Sequence, residues 1–86
     1  MKVHIPSPLR SYTKNQSIVA ADGSSLTQLL DDLDKNYPGI KFRMIDEQNG
    51  IRQHIKIYVD KLPVKDLSAA LSGSEQVHII CALSGG

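Results

Sequence analysis

The chemistry this chain can offer is concentrated in its last four residues, Leu83-Ser84-Gly85-Gly86. Two glycines bring maximal backbone freedom and no side chain, so they predict a mobile tail that a partner can approach from all sides. Such a tail suits one use: feeding a bare carboxylate into a narrow site on another protein. Elsewhere the chain has little catalytic equipment. No Ser/His/Asp or Cys/His set has an interpretable spacing, and there is no glycine-rich phosphate loop. The single cysteine, Cys81, excludes an internal disulfide framework and a multi-cysteine zinc site. It follows Val77 and Ile79 on the inward side of a strand, and reads as a small core hydrophobe rather than a sulfur relay near the tail.

Strand alternation sets His4, His54 and His78 opposite Val3, Ile55, Ile57, Val77 and Ile79. Three imidazoles in a row across one face would be the raw material of a zinc site. No sequence spacing enforces metal geometry, however, so the expectation is a shared polar face and no metal. Tyr58, Ile80 and Ala82 fall on that face with His78. A partly apolar outer face on so small a sheet is expected to be a docking surface for partner enzymes. The acidic run Asp31-Asp32-Asp34 reads as a solvated helix face rather than a cation site.

These groups have to be positioned by 86 residues, enough for one domain with a modest core. A net charge of +1 and four aromatic side chains (Phe42, Tyr12, Tyr37 and Tyr58) give no case for nucleic acid or an anionic membrane. The opening residues carry no signal-peptide core, and no stretch approaches transmembrane length, so a cytoplasmic address is expected.

Val3 and Ile5 alternate with Lys2 and His4 as a short first strand, which Pro6 and Pro8 stop. A polar connection over 7–16, with a helical turn, leads to a second strand over 17–21. Asp22-Gly23-Ser24-Ser25 forms a turn and a helix cap. Leu26, Leu29, Leu30, Leu33 and Tyr37 then fall on one helical face, and Pro38-Gly39 ends the helix. Ile40, Phe42, Met44 and Ile45 predict a second short helical turn under the sheet. After the turn residues 46–50, Ile55, Ile57 and Val59 mark the clearest strand. Leu62 to Val64 form a short edge strand, Leu67 and Leu71 plug the sheet's end from a helical turn, and 76–82 form the last strand. This order predicts an α+β, β-grasp (ubiquitin-like) fold. One main helix crosses a mixed four- to five-stranded sheet, with the first and last strands as parallel central neighbours. The domain covers 1–82, and 83–86 form the flexible Gly-Gly tail.

With those pieces in place, the sequence resembles the ubiquitin-like sulfur carrier proteins of the MoaD/ThiS family and looks closest to its CysO-like members. The matching residues are Ile5-Pro6 with Leu9-Arg10, Gly23 with Leu26, Leu30 and Leu33, Tyr37 with Gly39-Ile40, Ile55-Lys56-Ile57-Tyr58-Val59, Val77 with Ile79, and Gly85-Gly86. The resemblance implies a carrier rather than an enzyme. Its Gly86 carboxylate would be adenylated by an ATP-dependent enzyme related to ubiquitin-activating enzymes. A sulfur donor would then convert the adenylate to a thiocarboxylate for a downstream acceptor enzyme. Gly85, with Ser84 and Leu83, would give the tail access to the activating site. No cofactor would be bound by the carrier itself; ATP belongs to the partner. A monomer is expected when free.

Ser84 departs from any fixed family ending and leaves cysteine, thiamin and molybdopterin biosynthesis open as destinations. Three other readings stay open: a ubiquitin-like protein modifier conjugated through Gly86, the small subunit of a molybdopterin synthase, and a β-grasp interaction module with an inert tail.

Overall fold

The computed structural model describes residues 1–73 and 75–82. Strands β1 (Lys2–His4), β2 (Ile18–Ala20), β3 (Ile55–Val59), β4 (Leu62–Val64) and β5 (Gln76–Cys81) form one sheet in the order β2-β1-β5-β3-β4. Helix α1 spans Leu26–Asn36, helix α2 spans Ile40–Met44, and a 3-10 helix spans Ser7–Thr13. The β1–β5 pair is parallel and every other pair is antiparallel. The first and last strands are thus central neighbours. The fold is a β-grasp, as the sequence predicts.

Alternation drives the sheet's two-sidedness. Val3, Val19, Val77, Ile79, Ile55 and Ile57 are buried on one face, and the register sets Val3 opposite both Val19 and Val77 and Ile57 opposite Ile79. Against that face α1 lays Leu26, Leu29, Leu30 and Leu33, all fully buried. Side chains of this size each contribute roughly 1.5–3 kcal/mol on full burial, so the helix–sheet layer is the principal source of stability.

The start of α1 shows how the orphan amide groups of a helix are satisfied. Ser25 caps the helix, its Oγ accepting from Gln28 N at 3.2 Å, while Gln28 Oε1 accepts from Ser24 N at 2.9 Å. This reciprocal exchange is shifted one residue outward from the usual capping box. The loop after β4 does the rest. Leu26 N and Thr27 N donate to the carbonyls of Ala69 and Leu67, both at 2.9 Å, and Leu71 N donates to Ser24 O. Leu67 and Leu71 are buried as expected, but the segment is a turn and an isolated bridge rather than a helix, because its carbonyls are spent on the helix cap. Gly23 passes so close to α1 that a Cβ there would sit 2.4 Å from Leu29 N.

The acidic run on α1 serves local structure. Asp32 Oδ2 accepts from Asp22 N, and Asp34 Oδ1 accepts from Gly39 N at 3.0 Å and Lys41 N at 3.1 Å. Asp31 pairs with Lys41. Gly39 takes a φ of 96°, a left-handed conformation that turns the chain from α1 into α2. Ile40, Met44 and Ile45 are buried beneath the sheet, but Phe42, expected there, is 56% exposed. A helix of one turn cannot point four apolar residues the same way.

Two outcomes follow from these contacts. Leu30→Ala should cost about 2–5 kcal/mol in chemical denaturation. Glu75, at the entry to β5, should govern part of the acid response. Backbone donation from Ser72 at 2.7 Å, with Gly73 at 2.9 Å, holds its carboxyl down from 4.5 to about 2. Backbone amides likewise lower Asp46 and Asp66. The folded-state values lie below the unfolded ones. The stability these groups contribute is therefore full above the ordinary carboxylate range and is lost as pH falls toward the folded values. The Tm should drop between pH 4.5 and about 2, and Glu75→Gln should make that drop shallower.

Candidate functional site

β5 is hydrogen-bonded on both sides, and its hold on the sheet extends to Ala82, whose N–H donates to His54 O at 2.7 Å. Leu83, Ser84, Gly85 and Gly86, the expected reactive tail, lie outside the described residues. What the structure does show is the strand that precedes them in the sequence and the face it carries.

On the outer face one row of side chains crosses all five strands: Ile18, His4, His78, Tyr58 and Pro63, each directly opposite the next. His4 and His78 stack with ring centroids 4.0 Å apart and planes 13° from parallel. Next along β5 comes Ile80, 46% exposed and opposite Lys56, followed by exposed Ala82. Tyr58, His78, Ile80 and Ala82 therefore share a surface that is apolar in patches, cationic at Lys56 and contiguous with the end of β5. The base of this surface is paired backbone, and its side chains are amphipathic.

The third histidine is elsewhere. His54 sits in the turn before β3, at the far end of the face from Tyr58, which holds the place opposite His78. The expected row of three imidazoles is a row of two. His54 precedes Tyr58 by four residues, so the register that sets Tyr58 opposite His78 carries His54 past the row to the level of Ala82, whose N–H it accepts. Among the described residues, no group of three or more His, Cys, Asp or Glu is placed to hold a metal ion.

His54 instead lines an open groove of about 610 Å³ with Tyr12, Phe42, Arg43, Arg52 and Cys81. Arg52 Nε donates to Phe42 O at 2.7 Å, and its guanidinium lies 4.7 Å from the Phe42 ring centroid. Arg43 Nε donates to Tyr12 Oη at 2.6 Å. These contacts account for the exposed Phe42, which is covered by a cation rather than by core. The groove joins residues from the 3-10 helix, α2, the turn before β3 and the end of β5. No local pattern could have brought them together in the sequence, and it went unseen there. Cys81 is half-buried against the core, and burial pushes its thiol above the ordinary value. A thiol held protonated is a poor nucleophile, in keeping with a packing role.

Fold, exposed strand face and an Ala82 that leads straight off the central strand define a ubiquitin-like β-grasp domain. The chain belongs to the ThiS family, whose model matches residues 3–86. It is 35% identical over 89 residues to the sulfur carrier protein CysO of Mycobacterium tuberculosis strain H37Rv, covering 98% of this chain and 96% of that protein. The crystal structure of Mycobacterium tuberculosis CysO superposes with a TM-score of 0.90 at 32% identity, over 95% of this chain and 98% of that one. The Amycolatopsis orientalis BexX/CysO complex contains a chain matched with a TM-score of 0.91 at 30% identity, over 99% and 98%. SAMP1 of Haloferax volcanii, at 19% identity and a TM-score of 0.79 over 100% and 98%, shares the fold. No helix among the described residues is long and apolar enough to cross a membrane.

Cys81 supplies a direct check on this geometry. Alkylation by iodoacetamide at neutral pH, followed by mass spectrometry, should run slower than for a free cysteine and accelerate only in alkali. A rate above the free thiol's would show an activated sulfur.

Proposed function

We propose that this protein is a sulfur carrier that works as a thiocarboxylate at Gly86, donating sulfur in cofactor or amino-acid biosynthesis. The observation that carries the reading is 35% identity, over nearly the full length, with a sulfur carrier protein in a chain that carries Gly85-Gly86. An oxygen of the Gly86 carboxylate attacks the α-phosphate of ATP in a partner enzyme, expelling pyrophosphate and leaving an acyl adenylate. Sulfide sulfur from a donor then attacks the acyl carbon and AMP departs. One carboxylate oxygen is thereby replaced by sulfur. Activation is needed because a carboxylate is a poor acyl donor until it carries a leaving group. The partner provides positioning and charge stabilisation, and the carrier provides the group and a surface by which to be chosen.

That surface is the outer face at Tyr58, His78, Ile80 and Ala82, engaged first by an adenylating enzyme and then by the sulfur acceptor. A CysO chain in a complex with a second protein, BexX, supports a carrier that works in company. The reaction belongs to the cytoplasm, where ATP is available and Cys81 stays reduced.

Intact-mass spectrometry after incubation with ATP, sulfide and the host's adenylating enzyme tests the proposal. A gain matching one oxygen exchanged for sulfur, mapped to the last peptide, is expected. No gain with a demonstrably active enzyme would remove the carrier reading, and attachment to a protein lysine would replace it with a modifier. Deleting Gly86 should abolish the gain with little change in Tm. Ile80→Glu should reduce the rate of adenylation while leaving stability within about 0.5 kcal/mol, since the position is on the surface.

A further inference from the structure

Three grooves meet around the end of β5, and cations line all of them. The groove of about 610 Å³ holds Arg43, Arg52 and His54 beside Cys81 and Ala82. A second, of about 420 Å³, shares Arg52 and adds Lys56 and Lys65. A third, also of about 420 Å³, sets Arg10 beside Ile80 and Cys81. No Asp or Glu lines any of the three. Asp60 and Glu75 sit instead at the entry to β5, where they accept from the backbone amides of Gln76 and of Ser72 and Gly73. We propose, resting on the carrier reading, that these cations form a docking rim for an acidic protein surface. Its Asp and Glu carboxylates would border the mouth of the enzyme site that takes Gly86.

The arginines are held in place before any partner arrives. Arg52 Nε is spent on Phe42 O and Arg43 Nε on Tyr12 Oη, and Arg10 Nε donates to Ile5 O at 3.0 Å. Each guanidinium is thus anchored through one nitrogen, and none of them pairs with a carboxylate. The ion pairs among the described residues use Met1 and Lys41. Lys56 and Lys65 are exposed and likewise form no ion pair among the described residues. Carboxylates close to the rim are engaged with backbone. Asp46, lowered by the amides of Gly50 and Gln48 and further by Arg52, gives Oδ1 to those two amides, and Asp66 gives Oδ1 to Ser68 N. A guanidinium fork fixed in advance binds a carboxylate with little further loss of side-chain freedom. Chain length sets where the partner must lie. Gly86 is four residues beyond Ala82, and four residues reach at most roughly 14 Å. An enzyme holding the Gly86 carboxylate therefore brings its own surface over these grooves. With a net charge of only +1 the chain has no general field for a polyanion, which favours a shaped acidic protein surface over a nucleic acid.

Adenylation of the full chain by the host's adenylating enzyme, read as ATP–pyrophosphate exchange from roughly 0.05 to 0.5 M NaCl, tests the rim. The KM for the carrier should rise steeply with salt, because rim charges act mainly on encounter. At low salt, Arg43→Gln and Arg52→Gln should each raise that KM about fivefold with kcat within about twofold, and the double variant should flatten the salt dependence. Lys35→Gln, which removes an exposed cation from the last turn of α1, should behave as wild type. If an arginine variant loses Tm, Lys56→Gln and Lys65→Gln carry the same expectation without touching an anchoring hydrogen bond. A carrier KM and salt dependence unchanged in all four variants would overturn the rim, as would a loss of kcat alone. A rise in the KM for ATP in place of that for the carrier would overturn it too, by assigning the arginines to nucleotide phosphates. A wild-type chain adenylated with a salt-insensitive KM removes the rim and leaves the carrier reading standing. A wild-type chain that a demonstrably active enzyme does not adenylate removes both.

Discussion

Everything in this domain hangs on the parallel pairing of β1 with β5. It joins Lys2 to Gln76 and His4 to His78, residues from opposite ends of the chain. Together with the antiparallel β3–β5 pair, it joins two antiparallel hairpins, β1–β2 and β3–β4, into one sheet. A two-stranded hairpin is marginal in water by itself. The face that α1 covers draws on both hairpins and on β5, which lies between them. Val3 and Val77, fully buried and opposite one another, are the side-chain expression of that contact.

The same pairing divides the labour between faces. Period-two alternation sends valines and isoleucines toward α1 and sends histidines, Tyr58, Lys56 and Ile80 outward. The inner face fixes the position of the strand, and the outer face is free to vary in chemistry without cost to the core. Function can therefore be written on one side of β5 while stability is written on the other. The end of β5, held to His54 through Ala82, carries that rigidity to the last described residue.

The fold was legible in the sequence to a large degree because its signals are local. The spacing of Leu26, Leu29, Leu30 and Leu33 marks a helix face, Ser25 its cap, and Ile55, Ile57 and Val59 a strand, each within a few residues. The composition of the outer face was legible for the same reason, since strand parity assigns Tyr58, His78 and Ile80 to one side. What escaped the sequence depends on partners far away. Phe42 was read as core because its spacing with Met44 and Ile45 is apolar, yet it meets the guanidinium of Arg52 at the surface. Parity alone gives no register: His54 shares the parity of Tyr58, but it is Tyr58 that lies opposite His78. The stretch holding Leu67 and Leu71 was read as a helical turn, but its carbonyls are engaged by the amides of α1, a demand visible only in three dimensions.

The place of β5 in the chain has a consequence for how the protein is made. The central strand follows every other element, so it emerges from the ribosome after them. Until it does, the segments of two marginal hairpins and an amphipathic helix have no common neighbour, and their apolar side chains stay in water. Folding must therefore wait until residues 76–81 have been made and then proceed through closure of a very long loop, an entropically slow kind of step. A nascent chain interrupted before residue 76 displays leucine and isoleucine rather than a domain, and presents itself to chaperones and proteases. The cell's folding quality control thus acts on this protein as an all-or-nothing filter.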